Sequence, residues 1–296
     1  MPHFRFSPRH IGQMRRVDFC PRDFKFSIEL GFRPPFDMPM PGIMFNLDRF
    51  QKALVDAHFA QNGRLPKWLA SLGCVEPVTF PAKLTQEMPN LGLTMVGMPD
   101  YVLRSKDGSL CVVDFKTAKF KGANDPFMPV YEAQLWGYSQ LLEHNDIGEV
   151  RKAALVYFAN DLADYADEPL ALLTSDGIRV PFTVNIHQVK IDLDELGKLV
   201  KIFKSYVDLP ELPDGIENCK TCTRLERLFE IDRTFAGRKK VIKDLCNRDS
   251  LALDRILSQQ NVLRRERLIK ASQLWERDLD DELTDNLDYV PGKLDL

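Results

Sequence analysis

No apolar run in this 296-residue chain approaches the roughly 18 residues needed to cross a bilayer. A membrane-spanning helix is therefore not expected in this sequence. The opening Met1-Pro2-His3-Phe4-Arg5 has no apolar core of the kind a secretory leader needs, so none is expected. Six cysteines are too sparse for a disulfide framework, and a cytoplasmic location with reduced thiols is the expectation. Repeats and low-complexity tracts are missing too, which excludes solenoids and long disordered linkers. A formal net charge of −3 argues against a wholly cationic nucleic-acid coat protein.

What remains is ordinary globular composition, 44% hydrophobic and 28% charged. A chain of this size buries about 75% of its unfolded surface, enough for a core without staples. The charge is unevenly placed. Residues 1–33 hold seven Lys/Arg against three Asp/Glu, and residues 220–277 hold fifteen against eight. The tail 278–296 reverses this, with seven acidic residues and one basic. Two basic flanks around a near-neutral centre suit a polyanion, with Arg264, Arg265 and Arg267 as candidate phosphate contacts; solvated helix faces are the plainer reading of either flank.

Periodicity predicts an α/β organisation. A helix is expected over residues 8–19, then a proline-rich linker over 31–42. Asn46 is expected to cap a helix to about Ala60 with Leu47, Phe50, Leu54 and Ala57 facing the core. Residues 93–103 read as one strand and 109–116 as the next. A helix over 131–143, a buried strand over 151–160, an acidic loop over 161–178, a strand over 182–193 and an amphipathic helix over 195–207 follow. Beyond Cys219 the sequence reads as helical and highly charged.

The hairpin at Lys106-Asp107-Gly108 carries the sharpest inference. A three-residue loop closed by glycine puts Ser105 opposite Ser109, and therefore Asp100 opposite Asp114. Cross-strand partners share a face with Cβ atoms about 5 Å apart, and Lys116 lies two residues on from Asp114 on the same face. Two carboxylates and an ammonium on strands otherwise apolar suggest a site for a hard divalent cation, magnesium or manganese. Taken alone, an Asp-x-Lys pair is more often a surface ion pair. Here Val112, Val113 and Phe115 bury the strand, where an uncompensated carboxylate is expensive. On the following helix Tyr131, Gln134 and Tyr138 share one face.

In these residues the chain resembles the PD-(D/E)XK nuclease superfamily, and within it the RecB-type branch of CRISPR-associated exonucleases and AddB-like proteins. Gly97-Met98-Pro99-Asp100 is similar to that branch's Gly-x-x-Asp motif, Asp114-Phe115-Lys116 to its Asp/Glu-x-Lys motif, and Gln134 to Tyr138 to its Gln-x-x-x-Tyr helix. The resemblance implies a restriction-endonuclease-like core, a mixed central sheet flanked by helices, with a helical C-terminal extension. It implies metal held by Asp100 and Asp114, catalysis assisted by Lys116, and a site shaped by Gln134 and Tyr138. Branch members often add a histidine ligand from the preceding helix, which points to His58, at the border of the expected core stripe; a structural histidine is the alternative. Asp56 falls on the far side of that helix and is expected to face solvent.

Cys20, Cys219 and Cys222 are similar to the cysteines of the branch's iron–sulfur members, with Cys246 as the sole late candidate for a fourth ligand. A cluster is not favoured, because the expected last position is Leu228. Cys74 and Cys111 read as small core residues. The expected organisation is an N-terminal helical and linker segment 1–45, a nuclease core 46–216, a basic helical extension 217–277 and an acidic, disordered tail 278–296. The expected function is metal-dependent hydrolysis of DNA, exonucleolytic by preference, in repair, recombination or defence. An oligomeric contact or a helicase or defence partner is expected on the C-terminal helices, and no membrane partner. A catalytically silent nucleic-acid-binding module of the same fold is the alternative.

Overall fold

The computed structural model describes residues 4–32, 41–122 and 125–246. Most of the proline-rich linker, Arg264, Arg265 and Arg267, and the acidic tail lie outside the described residues. Two compact units divide the chain at Cys222/Thr223. The first contains every functional candidate except Cys246 and the arginines Arg264, Arg265 and Arg267.

In chain order its elements begin with strand β1 (Phe4–Phe6), helices α1 (Pro8–Gly12) and α2 (Pro21–Glu29), and the long helix α3 (Gly42–Asn62). Strands β2 (Cys74–Pro77), β3 (Leu84–Met88), β4 (Leu93–Gly97), β5 (Tyr101–Ser105) and β6 (Leu110–Lys116) precede helix α4 (Met128–His144). Then come β7 (Val150–Asn160), a small hairpin of β8 (Leu173–Thr174) and β9 (Gly177–Ile178), β10 (Phe182–Val189) and α5 (Leu193–Asp208). Helix α6 (Lys220–Cys246) crosses the division between units.

A five-stranded mixed sheet, β10-β7-β6-β5-β2, forms the centre. Its one parallel pairing, β6 with β7, is made by the α4 crossover, and the other pairings are antiparallel. With helices on both faces, β6 needs an unbroken apolar run, and Leu110, Cys111, Val112, Val113 and Phe115 are all buried. Alternation divides them. Leu110 and Val112 enter a core beneath α4 and α5, while Cys111, Val113 and Phe115 enter a second core against Val55 of α3 and Leu69 and Leu72. A smaller sheet, β1-β4-β3, packs on the far side of α4. Sheet strands, α1 and α5 surround α4, so it is apolar nearly all round, with Ala133, Leu135, Leu141 and Leu142 fully buried. Helix α5 is the ordinary amphipathic case: Leu196, Leu199, Val200 and Phe203 face inward, and Asp192 caps its first turn through the Glu195 N–H at 2.8 Å.

Three expectations are corrected, and three short strands are added. The 93–103 strand is two strands in different sheets, broken at Met98-Pro99-Asp100, where Pro99 has no N–H to give a ladder. The 8–19 helix stops at Gly12 and passes through a tight turn before Pro21 starts α2. β1, β2 and β3 were not expected; strands of three to five residues carry too little periodicity to read. Helix α3 begins one turn earlier than Asn46 and presents a different face. Gln51 and Val55 are buried, whereas Phe50 and Leu54 are 60% and 38% exposed. Polar contacts turn it: Gln51 donates to the Thr117 hydroxyl at 3.0 Å, and Lys52 reaches Asp100.

Candidate active site at the end of the central hairpin

The hairpin register places the acidic residues. Gly108 adopts φ +85°, the left-handed conformation that closes a three-residue loop, and Ser105 N–H bonds the Ser109 carbonyl at 2.8 Å. Tyr101 then pairs with Val113, so Asp100, one residue before β5, lies opposite Asp114. Asp100 accepts the Phe115 N–H through Oδ2 at 2.9 Å, fastening the carboxylate to the end of β6.

Asp114 is 2% exposed. One of its oxygens accepts from Gln134 Nε2 at 3.0 Å, and the other pairs with the Lys116 ammonium. Burial pushes the Asp114 carboxyl up to about 6, with Lys116 opposing the shift and Asp100 adding to it. Gln134 Nε2 also donates to the Tyr138 hydroxyl at 2.9 Å, and its Oε1 lies 3.4 Å from Lys116 Nζ. One amide therefore bridges carboxylate, ammonium and phenol. Burial holds the Tyr138 phenol above its ordinary range. Tyr131, one turn before Gln134, lays its ring 4.2 Å from Lys116 Nζ.

The glycine before this acid has a steric reason. A Cβ on Gly97 would come within 2.8 Å of both Tyr138 Cε1 and Leu141 Cδ1, so β4 passes α4 at a distance only glycine permits. That approach seats Tyr138, and with it Gln134, over the acidic pair.

Lys52 of α3 was not anticipated. Its ammonium pairs with Asp100 Oδ1 at 3.0 Å and with Asp48 at 2.9 Å. Burial works against that charge, but the two carboxylates outweigh it and hold its pKa above the ordinary lysine value. Each acid of the pair thus carries its own ammonium, Lys52 on Asp100 and Lys116 on Asp114. No sequence pattern marks Lys52, because the side of α3 facing the sheet is a tertiary outcome.

His58 is not brought to this group. Its Nδ1 lies 3.0 Å from the Arg64 carbonyl, on the chain that leaves α3. Six residues from Lys52 place it about 120° round the helix. Among the described residues, the acidic pair has no third His, Cys, Asp or Glu with its ligand atoms all within 4.8 Å of one another. Asp56 is exposed, as expected, and it also accepts a hydrogen bond from the buried Tyr101 hydroxyl.

A second cluster joins the two ends of the unit. Cys20, at the start of α2, and Cys219 and Cys222, at the start of α6, have sulfurs all within 4.8 Å, and Cys20 Sγ is 3.7 Å from Cys222 Sγ. Burial alone would raise the Cys20 thiol, but backbone hydrogen bonds at Asp23 and Ile216 bring it below its ordinary value, while burial pushes Cys222 up to about 12. A cavity of about 430 Å³ opens beside them, lined by Arg16, Asp23, Lys220 and Thr221 among others. Cys246, the candidate fourth ligand, is the last residue of helix α6 and belongs to the second compact unit. Cys111 is fully buried and Cys74 half-buried, as small residues of the sheet.

Comparison with known proteins places this geometry. Solved structures with a similar course of chain include SSO0001 (16% identity, 71% of this chain and 78% of that one, TM-score 0.40). Two exonucleases are also similar. One is the alkaline exonuclease LHK-Exo of Laribacter hongkongensis (8% identity, 80% of this chain and 95% of that one, TM-score 0.36). The other is a phage-related exonuclease from Haemophilus somnus 129PT (12% identity, 69% of this chain and 92% of that one, TM-score 0.39). No curated protein matches. The profile of the PD-(D/E)XK nuclease superfamily matches residues 47–224, a span that takes in the acidic pair, Lys116, Gln134 and Tyr138, and the chain belongs to that superfamily.

Proposed function

We propose that this chain is a divalent-metal-dependent nuclease of the RecB-type branch that hydrolyses DNA phosphodiester bonds, acting from ends. The observation that carries the reading is Asp114: a carboxylate almost wholly buried, opposed by a second carboxylate, and balanced by ammonium groups. A buried acid in that position costs the fold free energy that a cation offsets. The donors at Asp100 and Asp114 are hard oxygens, which fit magnesium or manganese, and the two acids would hold it. Bound there, such an ion activates water and stabilises charge on the phosphate. Gln134 orients Asp114 and keeps Lys116 beside it, Lys116 balances negative charge developing at the phosphate, and Tyr138 holds the Gln134 amide in place.

One observation favours the second reading, a silent nucleic-acid-binding module: His58 Nδ1 lies at the Arg64 carbonyl, and among the described residues it forms no three-ligand group with the acidic pair. The thiol trio is proposed to hold no iron–sulfur cluster, since three thiolates leave it one ligand short and Leu228 stands where the resemblance expects the last cysteine. Anaerobically purified protein is then colourless and without stoichiometric iron; a brown preparation whose colour is lost in Cys219→Ser contradicts this.

End-labelled linear DNA and closed circular DNA, each with and without manganese, separate the nuclease readings. Degradation of the linear substrate alone, and only with the metal, supports an end-dependent nuclease. Binding to both without cleavage of either supports the silent module. Cleavage of the circle overturns the exonuclease preference.

A further inference from the structure

A tyrosine that the acidic pair does not use lies next to Lys116. Tyr157 is the residue of β7 paired in register with Lys116, and parallel pairing puts both side chains on the α4 face of the sheet. It is fully buried, yet its hydroxyl has no hydrogen-bond partner among the described residues. Phe120 packs on its ring at 5.0 Å between centroids, and Phe120 in turn meets His187 at 5.1 Å. Burial first, and then the charges of Asp125, Tyr131 and Asp114, hold its phenol above the ordinary tyrosine range. Buried hydroxyls almost always have a partner, so one without any calls for an explanation, and a functional role is one such explanation.

The acidic pair supplies such a role. The Lys116 ammonium sits on Asp114, and its further contacts are Gln134 Oε1 at 3.4 Å and the Tyr131 ring at 4.2 Å. A divalent cation held by Asp114 repels that ammonium and competes for the same carboxylate. The ammonium then needs an acceptor to replace a carboxylate oxygen. The Tyr157 hydroxyl is an oxygen without a donor, on the neighbouring strand and the same face.

We propose that Tyr157 is a positioning residue for Lys116: its hydroxyl accepts the ammonium when a divalent cation takes Asp114, with the Tyr131 ring and Gln134 Oε1 completing the cradle. The proposal rests on the metal-dependent reading of the site and goes beyond it by assigning where the lysine is held. Tyr157 acts through Lys116 and needs no contact with DNA.

A double-mutant cycle on the full-length chain tests it, with manganese binding measured by calorimetry and kcat and KM measured on linear DNA. Tyr157→Phe removes one oxygen that has no partner in the metal-free fold, so the melting temperature without metal is expected to be unchanged or higher. Manganese affinity is expected to fall about fivefold and kcat about tenfold or more, with KM unchanged. In a Lys116→Gln background, Tyr157→Phe is expected to change manganese affinity by less than about twofold, because the group it serves is gone. Equal effects in both backgrounds mean a general packing role and overturn the proposal. So does wild-type affinity and turnover in Tyr157→Phe while the wild type binds manganese and cleaves, an outcome that leaves the nuclease reading standing. A wild type that binds no manganese removes the nuclease reading and the proposal with it.

Discussion

Asp114→Asn is expected to abolish metal-dependent cleavage, by about a thousandfold or more, and at the same time to make the metal-free protein more stable. The substitution is nearly isosteric and keeps an oxygen for the Gln134 amide, so the local packing survives. What it removes is a charge held in a place that disfavours charge. Folding raises the Asp114 pKa to about 6, so between the unfolded aspartate value and about 6 the folded state holds a proton that the unfolded state has released. Stability from this group is therefore greatest in acid, declines as pH rises through that window, and stays low above it. At about 1.4 kcal/mol per pKa unit, the buried charge costs the metal-free wild type about 3 kcal/mol at neutral pH. The surviving charge on Lys116 gives part of this back in the variant. Denaturant melts of wild type and Asp114→Asn without metal at pH 4.5 and pH 7.5 check it: the variant's advantage should be larger at pH 7.5. An advantage that shrinks with rising pH, or cleavage at the wild-type rate, contradicts this account of Asp114.

Gly97→Val is expected to cause the largest structural loss in the site. A Cβ alone would sit 2.8 Å from Tyr138 Cε1 and from Leu141 Cδ1, and 3.0 Å from Tyr138 Cδ1. Leu141 is fully buried, so the strain falls on its packed side chain, on the Tyr138 ring and on the spacing of β4 and α4. Overpacking of that kind costs about 1–3 kcal/mol, and valine's two methyls put this site at the upper end. Movement of α4 carries Tyr138 off Gln134 and Gln134 off Asp114, so cleavage should fall at least about tenfold even at temperatures where the variant is folded. Melting temperature and single-turnover cleavage check the two halves. A variant with wild-type stability would mean that β4 and α4 are not packed as closely as described.

The parts of this site that were legible in the sequence are those set by local rules. Lys106-Asp107-Gly108 specifies a loop, the loop specifies the register, and the register puts Asp100 across from Asp114. The spacing of Gln134 and Tyr138 places both on one helix face, and they meet at 2.9 Å. Lys52 and Tyr157 were not legible for the opposite reason. Lys52 meets Asp100 because α3 turns its Gln51–Val55 side to the sheet, against the apolar pattern of Phe50 and Leu54. Tyr157 neighbours Lys116 only through the parallel pairing of β6 and β7, made across the α4 crossover. His58 was expected at the metal on the strength of that same apolar stripe, and the rotation of α3 that exposes Phe50 and Leu54 leaves His58 at the Arg64 carbonyl. Pro99 separates two strands that hydropathy alone joins, so the break that frees Asp100 from the ladder was visible as a residue but not as a change of sheet.

The central claim is that Asp100 and Asp114 together hold a divalent cation. Manganese titration followed by electron paramagnetic resonance tests it directly, on wild type and on Asp114→Asn, both without DNA. The account predicts manganese bound at the wild-type site and lost from the Asp114→Asn protein, with loss of the free-ion signal in the first case only. Equal binding by the two proteins, or none by the wild type, would contradict it.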